Sequence, residues 1–289
     1  PYFSTVLMGG MSIMDAGTEN QKKEYLPRIA TGQIILTLAL NEPSGRWDPE
    51  GVQLTAKDTG EGYVLSGTKL FVQNAHVSDN IVVAARTGES STDISLFIIS
   101  TQANGVTQNL LKTIASDRQS EVIFENVAVP YSSLLGEKNL GWDTIQKVLQ
   151  WGAIGKCAEM SGGGQEVLDM TVEYAKQRTQ FGRPIGTFQA IQHHCANMAT
   201  DVEGAKFITY QAAWRLSEGL PADREVAMAK AWVSESYRRV CALGHQSHGA
   251  IGFTKEHNMQ LYSRRAKAAE LAFGDADFHL EKVADIIGL

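Results

Sequence analysis

The spacing of apolar positions changes twice along the chain. Near the start, Tyr25, Leu26 and Ile29 share one side of a segment whose other side carries Lys22, Lys23 and Glu24, the pattern of a half-buried helix. Thr18-Glu19-Asn20-Gln21 has the capping-box form, with Gly17 before it and Gly32 after the last turn, which predicts a helix from about Glu19 to Ala30. The pattern then shortens. Ile34 to Leu40 is an apolar run, Val52 to Ala56 alternates, and Tyr63 to Val72 follows the turn cluster Asp58-Thr59-Gly60-Glu61-Gly62. Asn80 to Arg86, Ser95 to Ser100 and Glu121 to Glu125 read as further short strands. Strands roughly ten residues apart with no long helix between them predict an antiparallel sandwich or barrel, not a parallel βαβ sheet.

From Asn139 the helical period returns. One helix is predicted from Trp142 to about Arg178, interrupted by Gly162-Gly163-Gly164. A second runs to about Ser217, capped by Thr187. A third has Pro221 in its first turn, a face of Val226, Ala229, Trp232, Val233, Tyr237, Val240 and Leu243, and Gly244 near its end. A last one spans about Lys255 to Ile286. Long helices in this number pack most naturally as an up-down four-helix bundle. The fold class is therefore α+β and multidomain: a partial N-terminal helical segment (1–32), an antiparallel β middle domain (33–137) and a C-terminal bundle (138–289).

Composition narrows the function. The 289 residues are 43% hydrophobic and 20% charged, enough for a core without disulfides or metals. A net charge of −6 argues against a nucleic-acid footprint. No apolar run reaches the ~18 residues of a membrane span, and Pro1 to Leu7 lack the basic start of a signal peptide. Cys157, Cys195 and Cys241 are far apart and odd in number, which fits buried thiols in a reducing, cytoplasmic setting. The chain opens at Pro1-Tyr2-Phe3 without an initiator methionine, in what reads as the middle of a helical region.

The common catalytic motifs are missing. There is no dinucleotide-binding G-x-G-x-x-G, no P-loop, no H-E-x-x-H and no G-x-S-x-G. His245, His248 and His257 could form a metal site, but no carboxylate or cysteine stands at ligand spacing, so helix-end histidines beside a glycine turn are the better reading. His193 and His194 point to different sides of a helix. The glycine triplet fits either a close approach to a ligand or a tight helix crossing, and the second is favoured. Arg178-Thr179-Gln180-Phe181-Gly182-Arg183-Pro184 closes one helix with two arginines, suited to capping carbonyls or to holding a phosphate. Gln246 to Phe253 is a turn in which Gly249 and Gly252 allow close backbone approach to a ligand.

Taken together, these segments resemble the acyl-CoA dehydrogenase family over nearly the whole chain. Asp15 to Lys22 through Tyr25-Leu26-Pro27 is similar to the family's last N-domain helix. Leu38-Ala39-Leu40-Asn41-Glu42-Pro43 is similar to its flavin strand and loop, and Gly62 to Lys69 with Phe71-Val72-Gln73-Asn74 to the strand that follows. Val127 to Pro130 and Leu134-Leu135-Gly136 resemble its exit from the β-domain. Tyr174-Ala175-x-x-Arg178-x-x-Phe181-Gly182 with Phe188 to Gln192 is the most specific signature, and Gln246-x-x-Gly249-x-x-Gly252-Phe253 completes it.

The resemblance implies an oxidoreductase: a flavoprotein of fatty acid metabolism that binds FAD and assembles as a tetrameric dimer of dimers. Leu38, Leu40 and Asn41 would meet the flavin ring, with Phe71, Val72 and Gln73 on its other side. Arg178, Gln180, Phe181, Gln189, Gln246, Gly249 and Ala250 would hold the pyrophosphate and adenosine, in the family from a neighbouring subunit. A pyrophosphate needs guanidinium and free backbone amides, and the ring needs an aromatic face and a donor near its reducible nitrogen. The implied reaction is α,β-dehydrogenation of an acyl-CoA thioester, with α-proton abstraction by a carboxylate and β-hydride transfer to the flavin. An electron-transferring flavoprotein would be the acceptor.

The chain departs from the family in four places. Where the family's catalytic glutamate would stand there is Phe273, with Gly274 after it in the substrate-facing stretch. The nearest carboxylate, Asp275, is the candidate base ahead of Asp277 and Glu270, though two residues turn it ~200° away on a helix, and a flavin-contacting or helix-capping role for Asp275 is the alternative. The other position used for the base reads Gly152-Ala153-Ile154, without a carboxylate, and the arginine usual there is absent too. The lip of the acyl cavity reads Ser44-Gly45-Arg46-Trp47, and Trp47 is a candidate substrate contact. Finally, the N-terminal helical domain is mostly absent, so the chain is expected to be truncated relative to the family, with the acyl pocket open on one side. Two alternatives compete: a family subunit that lacks its own base and works in a mixed assembly or by different chemistry, and a helical interaction protein without a cofactor.

Overall fold

Thr18 and Gln21 start the second helix by mutual capping. The Gln21 N–H donates to Thr18 Oγ1 at 3.2 Å, and the Thr18 N–H donates to Gln21 Oε1 at 3.0 Å. Helix α2 then runs Glu19–Ala30, after a wide π-type helix Phe3–Gly10 and a short α1, Met11–Ala16. Gln21 Nε2 also donates to Ser132 O and Leu134 O, which ties the helix to the β-sheet region. In this computed structural model residues 1–289 are all described. They divide into two compact units, Pro1–Gly152 and Ala153–Leu289.

The first unit is built on an eight-stranded sheet of β1 Leu36–Ala39, β2 Thr55–Asp58, β3 Tyr63–Gln73, β4 Asn80–Arg86, β5 Ile94–Ser100, β6 Val106–Leu111, β7 Gln119–Val129 and β8 Leu134–Leu135. Their order is β6-β7-β3-β2-β4-β5-β8, with β1 beside β4. Pairing is antiparallel except for β1 on β4 and the single pair of β2 with β4. Alternate residues such as Leu65, Ile81, Val83, Phe97, Val122 and Phe124 bury one common core. Strand β6 goes beyond the strands that the sequence pattern predicts. It is an edge strand paired only with β7, and an edge needs no apolar alternation to hold its place.

Helix α3, Gly141–Gln177, passes through the glycine triplet unbroken, so the expected interruption does not occur. A Cβ at Gly163 would lie 2.5 Å from the Tyr237 hydroxyl, whereas one at Gly162 would meet nothing within 4 Å. Gly163 is therefore where two helices cross closely.

The second unit continues with the hairpin β9 Thr179–Gln180 and β10 Arg183–Pro184, then α4 Gln189–Ser217, α5 Asp223–His248, α6 Met259–Leu271 and α7 Ala276–Ile287. Thr187 does not cap α4; its hydroxyl donates to Pro184 O and Phe188 takes the N-cap position. Pro221 precedes the N-cap Ala222 of α5 instead of entering its first turn. Trp232, expected on the buried face of α5, is 46% exposed, while Lys230 is wholly buried. The expected last helix is two helices, broken at Ala272–Asp275, where Phe273 and Gly274 both take positive φ. No helix is long and apolar enough to cross a membrane.

Candidate functional site

In the first unit a β-bulge creates the site's main feature. The β3–β7 register shifts between Lys69 and Val72, so Leu70 and Phe71 together oppose one residue of β7. A bulge re-aims a side chain at the cost of a ladder bond. Here it puts Phe71 at φ 56° and leaves the residue 55% exposed, although Phe71 is flanked by buried Val72 and lies within a strand. For a bulky residue this left-handed conformation is strained.

The same bulge holds the segment after β1. The Leu70 N–H donates to Asn41 O at 2.8 Å. Lys69 Nζ donates to Leu40 O at 3.1 Å and to Glu42 Oε1 at 2.7 Å. The Glu42 carboxylate also accepts from the Gln53 and Leu54 N–H groups, each at 3.0 Å. Lys69 and Glu42 form a fully buried ion pair; burial pushes the Lys69 ammonium below its ordinary range and Glu42 pulls it back. The structure thus brings Leu38–Asn41 and Phe71–Gln73 together. Leu38, Leu40 and Val72 are buried, while Asn41 and Gln73 are half-buried. The lip Ser44–Trp47 closes on itself, with the Arg46 guanidinium against Asp48 and Glu50 and Trp47 half-buried beside it.

In the second unit the helix end and the glycine turn meet. The Tyr174 ring, one turn before Arg178, stacks on His248 with centroids 4.5 Å apart and planes 25° apart. Arg178, Gln180, Phe181, Gln189, Gln246, Gly249 and Ala250 are all exposed. The β9–β10 hairpin turns through Phe181 and Gly182, both at positive φ, and leaves Phe181 92% exposed. Arg183 lies over the Phe188 ring at 4.3 Å. Gly249 ends α5 at φ 68°, with open space where a Cβ would stand, so its backbone is free for close approach.

The histidines in this region each pack against another ring. His248 Nδ1 pairs with Gly244 O, His245 stacks on Phe253, and His257 meets His248 edge-on. His245 Nδ1 and His248 Nε2 are buried without a partner. Burial and the neighbouring imidazoles push both histidines below their ordinary range. No group of three or more potential ligands is placed to hold a metal ion.

The α6–α7 break carries Asp275 and Gly274. Asp275 Oδ1 accepts from the Phe278 N–H at 3.0 Å and caps α7. Phe273 is buried. Two buried donors pin this turn. Lys230 Nζ donates to Glu270 O, Gly274 O and Ser234 Oγ. His279 Nε2 lies 2.9 Å from Phe273 O, which places the ring proton on Nε2, since a carbonyl only accepts. Sequence reasoning missed Lys69, Glu42, Lys230 and His279 as parts of the site. The signal was present for both lysines: counting by twos from Tyr63 and Leu65 puts Lys69 inward, and Lys230 sits between Val226, Val233 and Tyr237 on the apolar stripe of α5.

Comparison with known proteins gives a consistent picture. Residues 37–127 match the acyl-CoA dehydrogenase middle domain, and residues 139–288 match the acyl-CoA dehydrogenase C-terminal domain. The chain is 37% identical over 274 residues to the 3-(aryl)acrylate reductase of Clostridium sporogenes, covering 93% of this chain and 72% of that protein. It is also 37% identical over 258 residues to a subunit of the caffeyl-CoA reductase-Etf complex of Acetobacterium woodii, covering 88% and 68%. The solved FAD complex of PigA superposes with a TM-score of 0.94 at 26% identity, over 99% of this chain and 76% of that one. Two family domains in their proper order, on the matching fold, show that this chain belongs to the acyl-CoA dehydrogenase family.

Proposed function

We propose that the protein is an FAD-dependent oxidoreductase acting on the Cα–Cβ bond of an acyl-CoA thioester. The observation that carries this reading is the strained, exposed Phe71 on its bulge, set against the Leu40–Glu42 segment that Lys69 holds. A bulky residue kept at positive φ with its ring in the open is costly unless a ligand covers it. The FAD complex of PigA, on the same fold, supports FAD as that ligand. Leu38, Leu40, Asn41, Phe71, Val72 and Gln73 would hold the ring. Arg178, Gln180, Phe181, Gln189, Gln246, Gly249 and Ala250 would hold the phosphates and adenosine of the FAD on a neighbouring subunit, where a guanidinium and the open backbone at Gly249 suit an anion.

Bound FAD supplies two-electron chemistry at the substrate's β-carbon, in the direction of desaturation or of reduction. The chain must orient the thioester, exclude water and handle the α-proton. For desaturation, Asp275 is the proposed base, with Gly274 and Trp47 contacting the acyl-CoA. A second reading is favoured by Asp275 itself, whose carboxylate is engaged as a helix cap. In that reading no carboxylate of this chain takes the α-proton, and the protein works in a mixed assembly or as a reductase; two relatives are themselves named reductases, one of them as a subunit of an Etf complex. We propose an electron-transferring flavoprotein as the redox partner, in line with the Etf complex of the Acetobacterium woodii relative. Assembly through the exposed Phe207, Tyr210 and Trp214 of α4 into a dimer of dimers belongs to the same proposal.

Anaerobic addition of saturated and unsaturated acyl-CoAs to the FAD-loaded protein tests the direction. Bleaching by a saturated acyl-CoA indicates desaturation. Reoxidation of the reduced protein by enoyl-CoAs alone indicates reduction. No response to any thioester contradicts the reading.

A further inference from the structure

A strand that needed only packing would carry Leu or Val where β3 carries Lys69. An ammonium with no exposure is costly even when paired. Its bonds go to Leu40 O and to Glu42, and the next residue, Leu70, donates to Asn41 O. Leu40, Asn41 and Glu42 are thus each tied to β3, in consecutive order, at the root of the bulge that exposes Phe71. Glu42 is fixed again from the other side by the Gln53 and Leu54 N–H groups. None of these bonds uses the side-chain amide of Asn41.

We propose that Lys69 is a positioning residue for the flavin, locking Leu40–Glu42 against the Phe71 bulge so that both sides of the ring site keep a single spacing. The inference rests on the FAD reading above. Lys69 touches no ligand itself; it acts through the backbone it holds. Supporting groups of this kind hold the binding groups of a site in their productive geometry.

The test compares the unaltered protein with a Lys69→Met, Glu42→Gln double variant, each reconstituted with FAD. Removing both charges together leaves no lone buried ion. The readouts are FAD affinity, the long-wavelength absorbance band of the bound flavin, and the unfolding midpoint without FAD. The double variant is expected to fold with a midpoint near that of the unaltered protein, to bind FAD about tenfold or more weakly, as is usual when a supporting partner is removed, and to show a band moved toward that of free FAD. Unchanged affinity and an unchanged band overturn the inference. If the double variant does not fold, the single Glu42→Gln variant decides: weaker FAD binding with a shifted band supports the inference, and unaltered values overturn it. Failure of the unaltered protein to take up FAD contradicts the proposed function itself, and this inference with it.

Discussion

Lys230 Nζ lies 2.8 Å from Gly274 O and 2.9 Å from Glu270 O, so one buried ammonium holds both sides of the α6–α7 break. Lys230→Met would leave two carbonyls without a donor and is expected to cost about 2 kcal/mol near pH 7. Burial pushes this ammonium down to about 8 from an ordinary 10.5. The folded protein therefore gives up the proton before the unfolded chain does. Stability contributed by this group rises as pH climbs from about 8 toward 10.5. Urea unfolding near pH 7 and near pH 10 should show that rise in the unaltered protein and a smaller one in Lys230→Met.

His279 titrates in the opposite range. Burial lowers it to about 4 from 6.5, so below pH 6.5 the unfolded chain takes up a proton that the folded protein refuses. Stability is lost as pH falls from about 6.5 toward 4, by about 3 kcal/mol for this group. His245 and His248 shift in the same direction and add to the loss. His279→Gln should lower stability near pH 7 and flatten its fall on acidification, measured by denaturant titration.

Both of these donors, and Lys69, show how far the sequence could be read. Strand and helix periods gave most elements, because Tyr63–Gln73 alternates buried with part-exposed residues at its start, while Asn80–Arg86 is an apolar run buried from Ile81 to Ala85. The capping box at Thr18 and Gln21 was legible because its bonds are local. The break at Phe273–Gly274 was not, since its carbonyls are held by Lys230 from another helix and by His279 from the far side of the break. The bulge at Leu70–Phe71 escaped for the same reason: its register depends on β7, some fifty residues later. Family motifs marked the stretches proposed to face the flavin, but not the buried groups behind them.

The glycine triplet separates two effects within one helix. Gly162→Ala has open space and should stabilise by about 0.5–1 kcal/mol through better helix propensity. Gly163→Ala would press on Tyr237 and should destabilise by about 1–3 kcal/mol, as overpacking does. Opposite signs in thermal unfolding confirm the close crossing; equal signs refute it.

Asp275 can be tested without confusing catalysis with folding. Ser caps helices about as well as Asp, so Asp275→Ser should keep the unfolding midpoint, whereas Asp275→Ala should lose about 1 kcal/mol. If Asp275 is the base, Asp275→Ser retains bound FAD but loses its bleaching by a saturated acyl-CoA. Undiminished bleaching in Asp275→Ser assigns Asp275 to the helix cap alone.

The most direct test of the central claim is the visible absorbance spectrum of the purified protein after incubation with FAD and removal of free flavin, followed anaerobically with acyl-CoA and enoyl-CoA thioesters. The account predicts a retained flavin band, perturbed from that of free FAD, whose redox state responds to at least one thioester. A protein that emerges folded but colourless, or whose bound flavin ignores every thioester in both oxidised and reduced form, would contradict it.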